Sequence, residues 1–328
     1  MAAETMRAVV ADAPGDPDVL HVTRLPIPSP GPGEVRLRVA YCSLNPVDVF
    51  ARQGRWPGKY PLTPGTTHSG IVDKVGDGVD RQWLGRRVLS SGAGGGCADF
   101  SIGALTMVAP FPEGLDWKVG TVYRGITATA WHSVVTAARV QRGDNVAIHS
   151  GAGPIGIVMT QIAKELGATV IALCGGPDKI AYARPYGADH FIDYRRDDWP
   201  ADVIRLTGGR GADVIIDGNG GAGWAKNYEA IAANGLILLM GATAGRGPDI
   251  PQELLMRKSI KVGAMSFPVL GPILKGRDDA MLLDAVRTGR WRIPISEEVA
   301  LEDVPALHAR FERRETKGRV VIRVGGDL

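Results

Sequence analysis

The chain of 328 residues is expected to be an α/β protein, with a parallel, doubly wound sheet inserted into a β-rich, barrel-like unit. Three observations lead there. The stretch Asn145-Val-Ala-Ile-His-Ser-Gly151-Ala-Gly153-Pro-Ile-Gly156 reads as a strand, a glycine turn and a helix start. After about residue 123, strand and helix patterns alternate as in successive βαβ units. Before that point, and again near the C-terminal end, short apolar runs are punctuated by proline and glycine.

The β-rich part comes first. Residues 7–11, 34–40, 69–75 and 87–89 read as strands. Pro26-Ile-Pro-Ser-Pro-Gly-Pro-Gly33, Pro61-Leu-Thr-Pro-Gly65 and the glycine cluster 92–96 read as loops, because apolar strands flank them. In the glycine turn, Gly151 is expected to allow the tight bend, Gly153 to let backbone approach a pyrophosphate, and Gly156 to let the helix pack on the strand. Residues 155–166 carry helical spacing and Gly167 closes the helix. The N-terminal amides of that helix suit an anion. Alternation continues with strand 169–173, helix 178–186, strand 191–194, helix 197–206, strand 214–217, helix 224–233, strand 236–240, helix 252–257 and strand 260–263. The tail ends on strand 319–324, and no internal repeat is present.

Composition narrows the function classes. A length of 328 residues favours two domains, and 45% hydrophobic with 22% charged residues is ordinary for a globule. The net charge of +3 is small, and the basic stretch 310–314 alternates with Glu312 and Glu315, so neither nucleic acid nor an anionic membrane is indicated as a partner. Cys42, Cys97 and Cys174 lack paired spacing, which points to a reduced compartment and away from a cysteine-rich zinc site. The N-terminus lacks the apolar core of a signal peptide. Residues 145–163 are uncharged, but their glycines, Pro154, His149 and Asn145 mark the nucleotide turn and not a membrane helix. A cytoplasmic protein is expected.

A nucleotide sheet inserted into a β-rich domain to which the chain returns resembles the medium-chain dehydrogenase/reductase superfamily. Within it, the chain resembles the zinc-free quinone oxidoreductases, the zeta-crystallin group. The markers stand in order along the chain: Gly33-Glu-Val-Arg-Leu-Arg-Val39, Asn45-Pro-Val-Asp48, Pro64-Gly65 with Gly70-Ile-Val, Gly85-Arg-Arg-Val88, Gly125-Ile-Thr-Ala128, the glycine turn, Gly187-Ala-Asp-His190 and Lys317-Gly-Arg-Val-Val321. The resemblance implies a GroES-like catalytic domain over 1–122 and 266–328, and a Rossmann dinucleotide-binding domain over 123–265. It also implies a homodimer paired through the segment near 260–267, a stretch that core packing would explain equally well.

An NAD site usually places Asp or Glu at the end of the second strand of the nucleotide sheet. Here Cys174 holds that place, followed by Gly175-Gly176, and no carboxylate occurs before Asp178. NADPH is therefore favoured over NADH. The resemblance assigns the 2′-phosphate to Lys179 and Tyr194; the plainer alternatives are a solvated helix residue and a strand-end packing residue. The remaining residues assigned to the cofactor are Thr127, Gly151, Ala152, Gly153, Pro154, Ile155, Gly156, Gly175, Asn219, Gly241, Ala242, Thr243 and Lys317.

Zinc-dependent relatives carry cysteine and histidine where this chain has Asn45 and Thr66, and His68 lies two residues further on. An amide is a poor substitute for thiolate, so no metal is expected. Without a Lewis acid the chemistry suited to the chain is hydride transfer from NADPH to a quinone or an α,β-unsaturated carbonyl, whose charge spreads onto an oxygen that hydrogen-bond donors can hold. The resemblance puts Asn45 in the substrate cleft as a donor to the carbonyl, against a structural turn role ahead of Pro46. Positions often held by tyrosines in the group are Phe50 and Trp56, which cannot supply a proton. Tyr60, Tyr41, Asp48, His68 and solvent remain as sources, with Asn45, Tyr60 and His68 taken as the catalytic set. Arg124 could hold an acidic substrate group or pair at a surface. Two other readings stay open: a zinc-independent carbonyl reductase or alcohol dehydrogenase acting on a specialised metabolite, and an NADPH-binding structural or RNA-binding crystallin-like protein.

Overall fold

In the computed structural model the chain forms two compact units, one made of the residues up to Tyr123 with Ile295–Leu328, the other of Arg124–Pro294. The structure describes residues 4–92, 94–274 and 276–328. The first three residues of the N-terminal segment read above, and Ala93 of the glycine cluster, lie outside the described residues.

The first unit begins with β1 (Thr5–Ala11) and β2 (Leu20–Pro26), an antiparallel pair. Then come β3 (Glu34–Ser43), α1 (Pro46–Arg52), β4 (Thr67–Val75), β5 (Arg87–Ser91), β6 (Phe100–Ala104), β7 (Val108–Pro110) and the first turns of α2 (Trp117–Trp131), whose residues from Arg124 on belong to the second unit. Val35, Leu37 and Val39 alternate along β3 and are all fully buried, as period-two patterning requires of a strand with one covered face. Ser69 Oγ on β4 lies 2.5 Å from Thr121 Oγ1, which ties the sheet to the start of α2.

The second unit runs β8 (Asn145–Ile148), α3 (Pro154–Glu165), β9 (Thr169–Cys174), α4 (Pro177–Ala183), β10 (His190–Asp193), α5 (Trp199–Leu206), β11 (Ala212–Asp217), α6 (Asn227–Ala230), β12 (Ile231–Leu239), α7 (Gln252–Lys258), β13 (Lys261–Ala264), α8 (Phe267–Leu274) and α9 (Asp279–Arg287). Its strands form one parallel sheet in the order β10-β9-β8-β11-β12-β13. Ile171, Leu173, Ile215 and Ile237 are completely buried, because parallel strands are covered on both faces. Each such side chain contributes about 1.5–3 kcal/mol. The chain then returns to the first unit through β14 (Ile295–Ala300), α10 (Val304–Glu312) and β15 (Arg319–Arg323). The seven-stranded sheet there reads β14-β15-β3-β4-β5-β7, with β6 also paired to β3.

Two expectations are corrected. The helix expected over 224–233 stops at Ala230, and β12 begins at Ile231. Asn234, at a φ of 63°, lies where the β11–β12 register shifts, so the strand absorbs an irregularity that reads as helix in sequence. The return placed at 266 falls at Ile295 instead. The intervening segment is anchored inside the second unit by polar ties to tryptophan and arginine. Trp131 Nε1 donates to Asp278 at 3.0 Å, Arg124 pairs with Asp279 at 2.8 Å, and buried Trp291 donates to Glu165 at 2.7 Å. The same pairing gives Arg124 a partner inside its own unit. Among the described residues no helix is long and apolar enough to cross a membrane.

Candidate functional site

In the second unit the chain runs outward from β8 through β9 to β10 and then resumes on the other side with β11, so the strand order reverses between β8 and β11. Loops leaving the carboxyl ends of those strands diverge there, the usual crevice for a ligand in an open α/β sheet. Ser150 takes the left-handed conformation of the glycine turn, at a φ of 54°. Gly151, assigned that bend from sequence, serves close packing instead: a Cβ there would lie 2.9 Å from the Ala172 Cβ and 3.2 Å from the Cys174 sulfur. Gly153 caps α3 with Pro154 in its first turn, and no acidic residue opposes an anion at that end. A Cβ at Gly156 would press into the Ser150 carbonyl.

The loop after β11 closes on the turn. Ser150 Oγ donates to Asn219 Oδ1 at 2.7 Å, and the buried Asp217 accepts the amides of Asn219 and Gly220 at 2.7 and 3.1 Å. Asp217 also accepts from Asn227 Nδ2 at 2.8 Å, and Asn227 Oδ1 meets His149 Nε2 at 2.8 Å. The loop after β12 adds backbone ties, from Met240 to Asp217, Ala244 to Asn219 and Gly221 to Gly245. Gly241, Ala242 and Thr243 thus lie against the Gly218–Gly220 backbone, which leaves room only for small residues there.

At the end of β9, Gly175 lies under the ring of Tyr194, whose hydroxyl would be 2.9 Å from a Cβ. Gly176, at a φ of 107°, leaves the space into which the Arg195 guanidinium reaches. Arg195 pairs with Asp193 at 2.9 Å and holds that carboxyl below its usual range. Burial pushes the Cys174 thiol up to about 12, although the nearby Lys179 ammonium opposes it. Lys179, Tyr194 and Arg195 therefore surround one short turn. Arg195 follows an expected strand end and carries no motif, so nothing in the sequence marks its place beside this turn.

In the first unit Asn45 precedes α1, and its backbone N–H donates to Asp48 Oδ2 at 2.8 Å. Asp48 is fully enclosed and also accepts the amides of Gly65 and Thr66 at 3.0 and 2.8 Å. Burial raises its carboxyl against those hydrogen bonds. The Asn45 amide nitrogen lies 3.2 Å from Thr67 Oγ1 and 3.4 Å from Thr66 Oγ1, and its oxygen accepts from Arg319 Nη1 at 3.1 Å. Burial draws Arg319 down to about 10, with Asp48 opposing, so it remains a cation at neutral pH.

Tyr60 and His68 do not fit the catalytic role expected of them. The Tyr60 hydroxyl donates to the Ala51 carbonyl at the end of α1. His68 is fully buried, its Nδ1 3.1 Å from the Gly65 carbonyl and its Nε2 2.8 Å from Ser101 Oγ. Both are occupied in holding loops together. Tyr41 is buried too, with its phenol pushed up by desolvation. Thr127 is buried on α2, and Lys317 lies exposed in the first unit with its carbonyl accepting from Ser296 Oγ at 2.5 Å.

His68 supports a prediction about pH. Burial pushes it down to about 4, and the buried His308, beside Arg52, down to about 3. Both folded values lie below the ordinary histidine value, so the unfolded chain takes up protons first. Stability is then complete above about pH 6.5 and falls as pH drops toward 4, by up to about 1.4 kcal/mol per histidine for each unit. Thermal melting at pH 7.5 and 5.0 should show the loss, and His308→Leu should lessen it. An unchanged melting temperature across that range would contradict the assignment.

Comparison with known proteins adds to this geometry. The family described as "Alcohol dehydrogenase GroES-like domain" matches residues 31–142, and "Zinc-binding dehydrogenase" matches 154–269. A quinone oxidoreductase of Pseudomonas aeruginosa is 28% identical over 316 residues, 94% of this chain and 96% of that one. A solved mycobacterial protein complexed with NADPH is 29% identical with a TM-score of 0.88, covering 97% of this chain and 99% of that one. A solved NAD-dependent alcohol dehydrogenase is 31% identical with a TM-score of 0.84, covering 98% and 100%. Among the described residues, no group of three or more His, Cys, Asp or Glu is placed to hold a metal ion.

Proposed function

Since the chain belongs to the medium-chain dehydrogenase/reductase superfamily, in its quinone oxidoreductase group, we propose that it is an NADPH-dependent oxidoreductase reducing a quinone or an α,β-unsaturated carbonyl without a metal ion. One observation carries the cofactor half. The end of β9 holds Cys174-Gly175-Gly176 where an NAD site needs a carboxylate, and Lys179, Tyr194 and Arg195 stand around that turn. The residues fit a dinucleotide: the α3 end is free of acidic side chains, and a Cβ at Gly153 would meet only the Ser150 carbonyl and side chain. Lys179 and Arg195 would supply charge-assisted bonds to a 2′-phosphate.

The acceptor half rests on Asn45, whose amide nitrogen offers hydrogen-bond donors and no metal-ligating thiolate or imidazole. When bound, NADPH supplies the hydride. Asn45 then donates to the carbonyl or quinone oxygen onto which charge spreads, and solvent delivers the proton. A saturated ketone concentrates that charge on one alkoxide, which needs more stabilisation than a single neutral donor supplies. A carbonyl reductase or alcohol dehydrogenase is the second reading, favoured by the likeness to the NAD-dependent alcohol dehydrogenase.

NADPH consumption against quinones, enones, saturated ketones and aldehydes separates these. The expected result is a kcat/KM for quinones or enones at least ~100-fold above that for saturated carbonyls, about 2.7 kcal/mol of transition-state preference. Turnover confined to saturated carbonyls supports the second reading, and tight NADPH binding with no turnover supports a binding protein. A homodimer is part of the proposal. It is supported by β13 at the sheet edge and by exposed Val269 and Ile273 on the following helix; a monomer mass by light scattering removes it.

A further inference from the structure

Two opposite buried charges hold Asn45, Asp48 at its backbone N–H and Arg319 at its side-chain oxygen, and what Arg319 does there rests on the role proposed for Asn45 above. Arg319 opens β15 and is only 8% exposed. Its Nη1 donates to the Leu44 carbonyl at 2.6 Å and to Asn45 Oδ1 at 3.1 Å, while its Nε has no partner. A cation kept in such a place at the cost of an orphaned N–H is expensive, so the contacts it does make define its use. Asp48 holds the backbone on the other side of the same residue.

The donor inventory then fixes the amide. A guanidinium has N–H groups only, so the oxygen of Asn45 must face it, and the flipped amide would aim NH₂ at a cation. The Asn45 nitrogen is therefore turned toward Thr66, Thr67 and the Ser43 carbonyl, at 3.4, 3.2 and 3.5 Å. Three long contacts share two N–H groups. At least one N–H is weakly held and can be given up to a better acceptor. A charge-assisted bond at the oxygen also polarises the amide and strengthens its N–H as a donor.

We propose that Arg319 is the positioning residue of the acceptor site: it locks Asn45 as a hydrogen-bond donor and thereby selects acceptors that present a carbonyl or quinone oxygen. It acts through Asn45. The test is a double-mutant cycle on the full chain with saturating NADPH, using Asn45→Ala, Arg319→Met, Arg319→Lys and the Asn45→Ala/Arg319→Met pair, with a cyclic enone and a benzoquinone as acceptors. Arg319→Met should lower kcat about tenfold with NADPH affinity unchanged, and Arg319→Lys should recover most of it. The double variant should be no slower than Asn45→Ala alone, a coupling that loss of stability would not produce.

An unchanged kcat in Arg319→Met beside a slow Asn45→Ala overturns the role of Arg319 and leaves that of Asn45 standing. Equal slowing by Arg319→Met in both backgrounds also overturns it. A fully active Asn45→Ala removes the premise itself. If Arg319→Met does not fold, Arg319→Ala, which likewise removes the donor, set against Arg319→Lys gives the same contrast, and a fully active alanine variant counts against the proposal.

Discussion

Gly156→Ala is expected to weaken NADPH binding at least ~100-fold, or about 2.7 kcal/mol. A Cβ at this position would press into the Ser150 carbonyl oxygen and come within 3.2 Å of Gly151 Cα. Both are backbone atoms, so no side chain can swing aside; α3 must tilt away from the turn that its first amides complete. That displacement moves the helix end proposed to hold the phosphates away from Ser150, whose hydroxyl links the turn to Asn219. Fluorescence titration with NADPH, set beside thermal melting, checks it. Gly223→Ala is the control for an added methyl, since its Cβ would meet nothing within 4 Å. An unchanged dissociation constant in Gly156→Ala would mean that the dinucleotide does not use this turn.

Paired substitution of Lys179 and Arg195 by alanine should weaken NADPH about 10- to 100-fold and leave NADH nearly unaffected, because only the 2′-phosphate differs. The range is set low since Arg195 is 58% exposed and already paired with Asp193. Removing Arg195 also frees the Asp193 carboxylate, which then repels a phosphate and can accept from a ribose hydroxyl. The variant should therefore move toward NADH. Equal loss for both nucleotides would contradict the assignment of these cations, and a wild type that prefers NADH would align the chain with its NAD-dependent neighbour.

The parallel sheet was legible because its strands are apolar on both faces and stand between helical patterns. Ile171, Leu173, Ile215 and Ile237 make β9, β11 and β12 conspicuous. β2 escaped notice because it is mostly exposed or half-exposed past Leu20, β7 has only three residues, and β6 and β14 are interrupted by small or polar residues such as Gly103, Glu297 and Glu298. α2 begins ahead of the point where alternation becomes visible, and the segment holding α8 and α9 joins the second unit through pairings that span 126 to 155 residues. At the site, the glycine loops announced themselves by spacing. The charged residues did not. Arg319 meets Asn45 across 274 positions, and no local pattern encodes that contact. His68 and Tyr60 were chosen by residue type, whereas burial and hydrogen-bond partners decide what such groups can do.

The most direct test of the account follows label from NADPH carrying deuterium at the transferable position into a cyclic enone, in the presence of a metal chelator. The account predicts one deuterium at the β-carbon of a saturated ketone, at a rate the chelator leaves unchanged. Deuterium on the carbonyl carbon of an alcohol product, or turnover abolished by chelation and restored by a divalent metal, would contradict it.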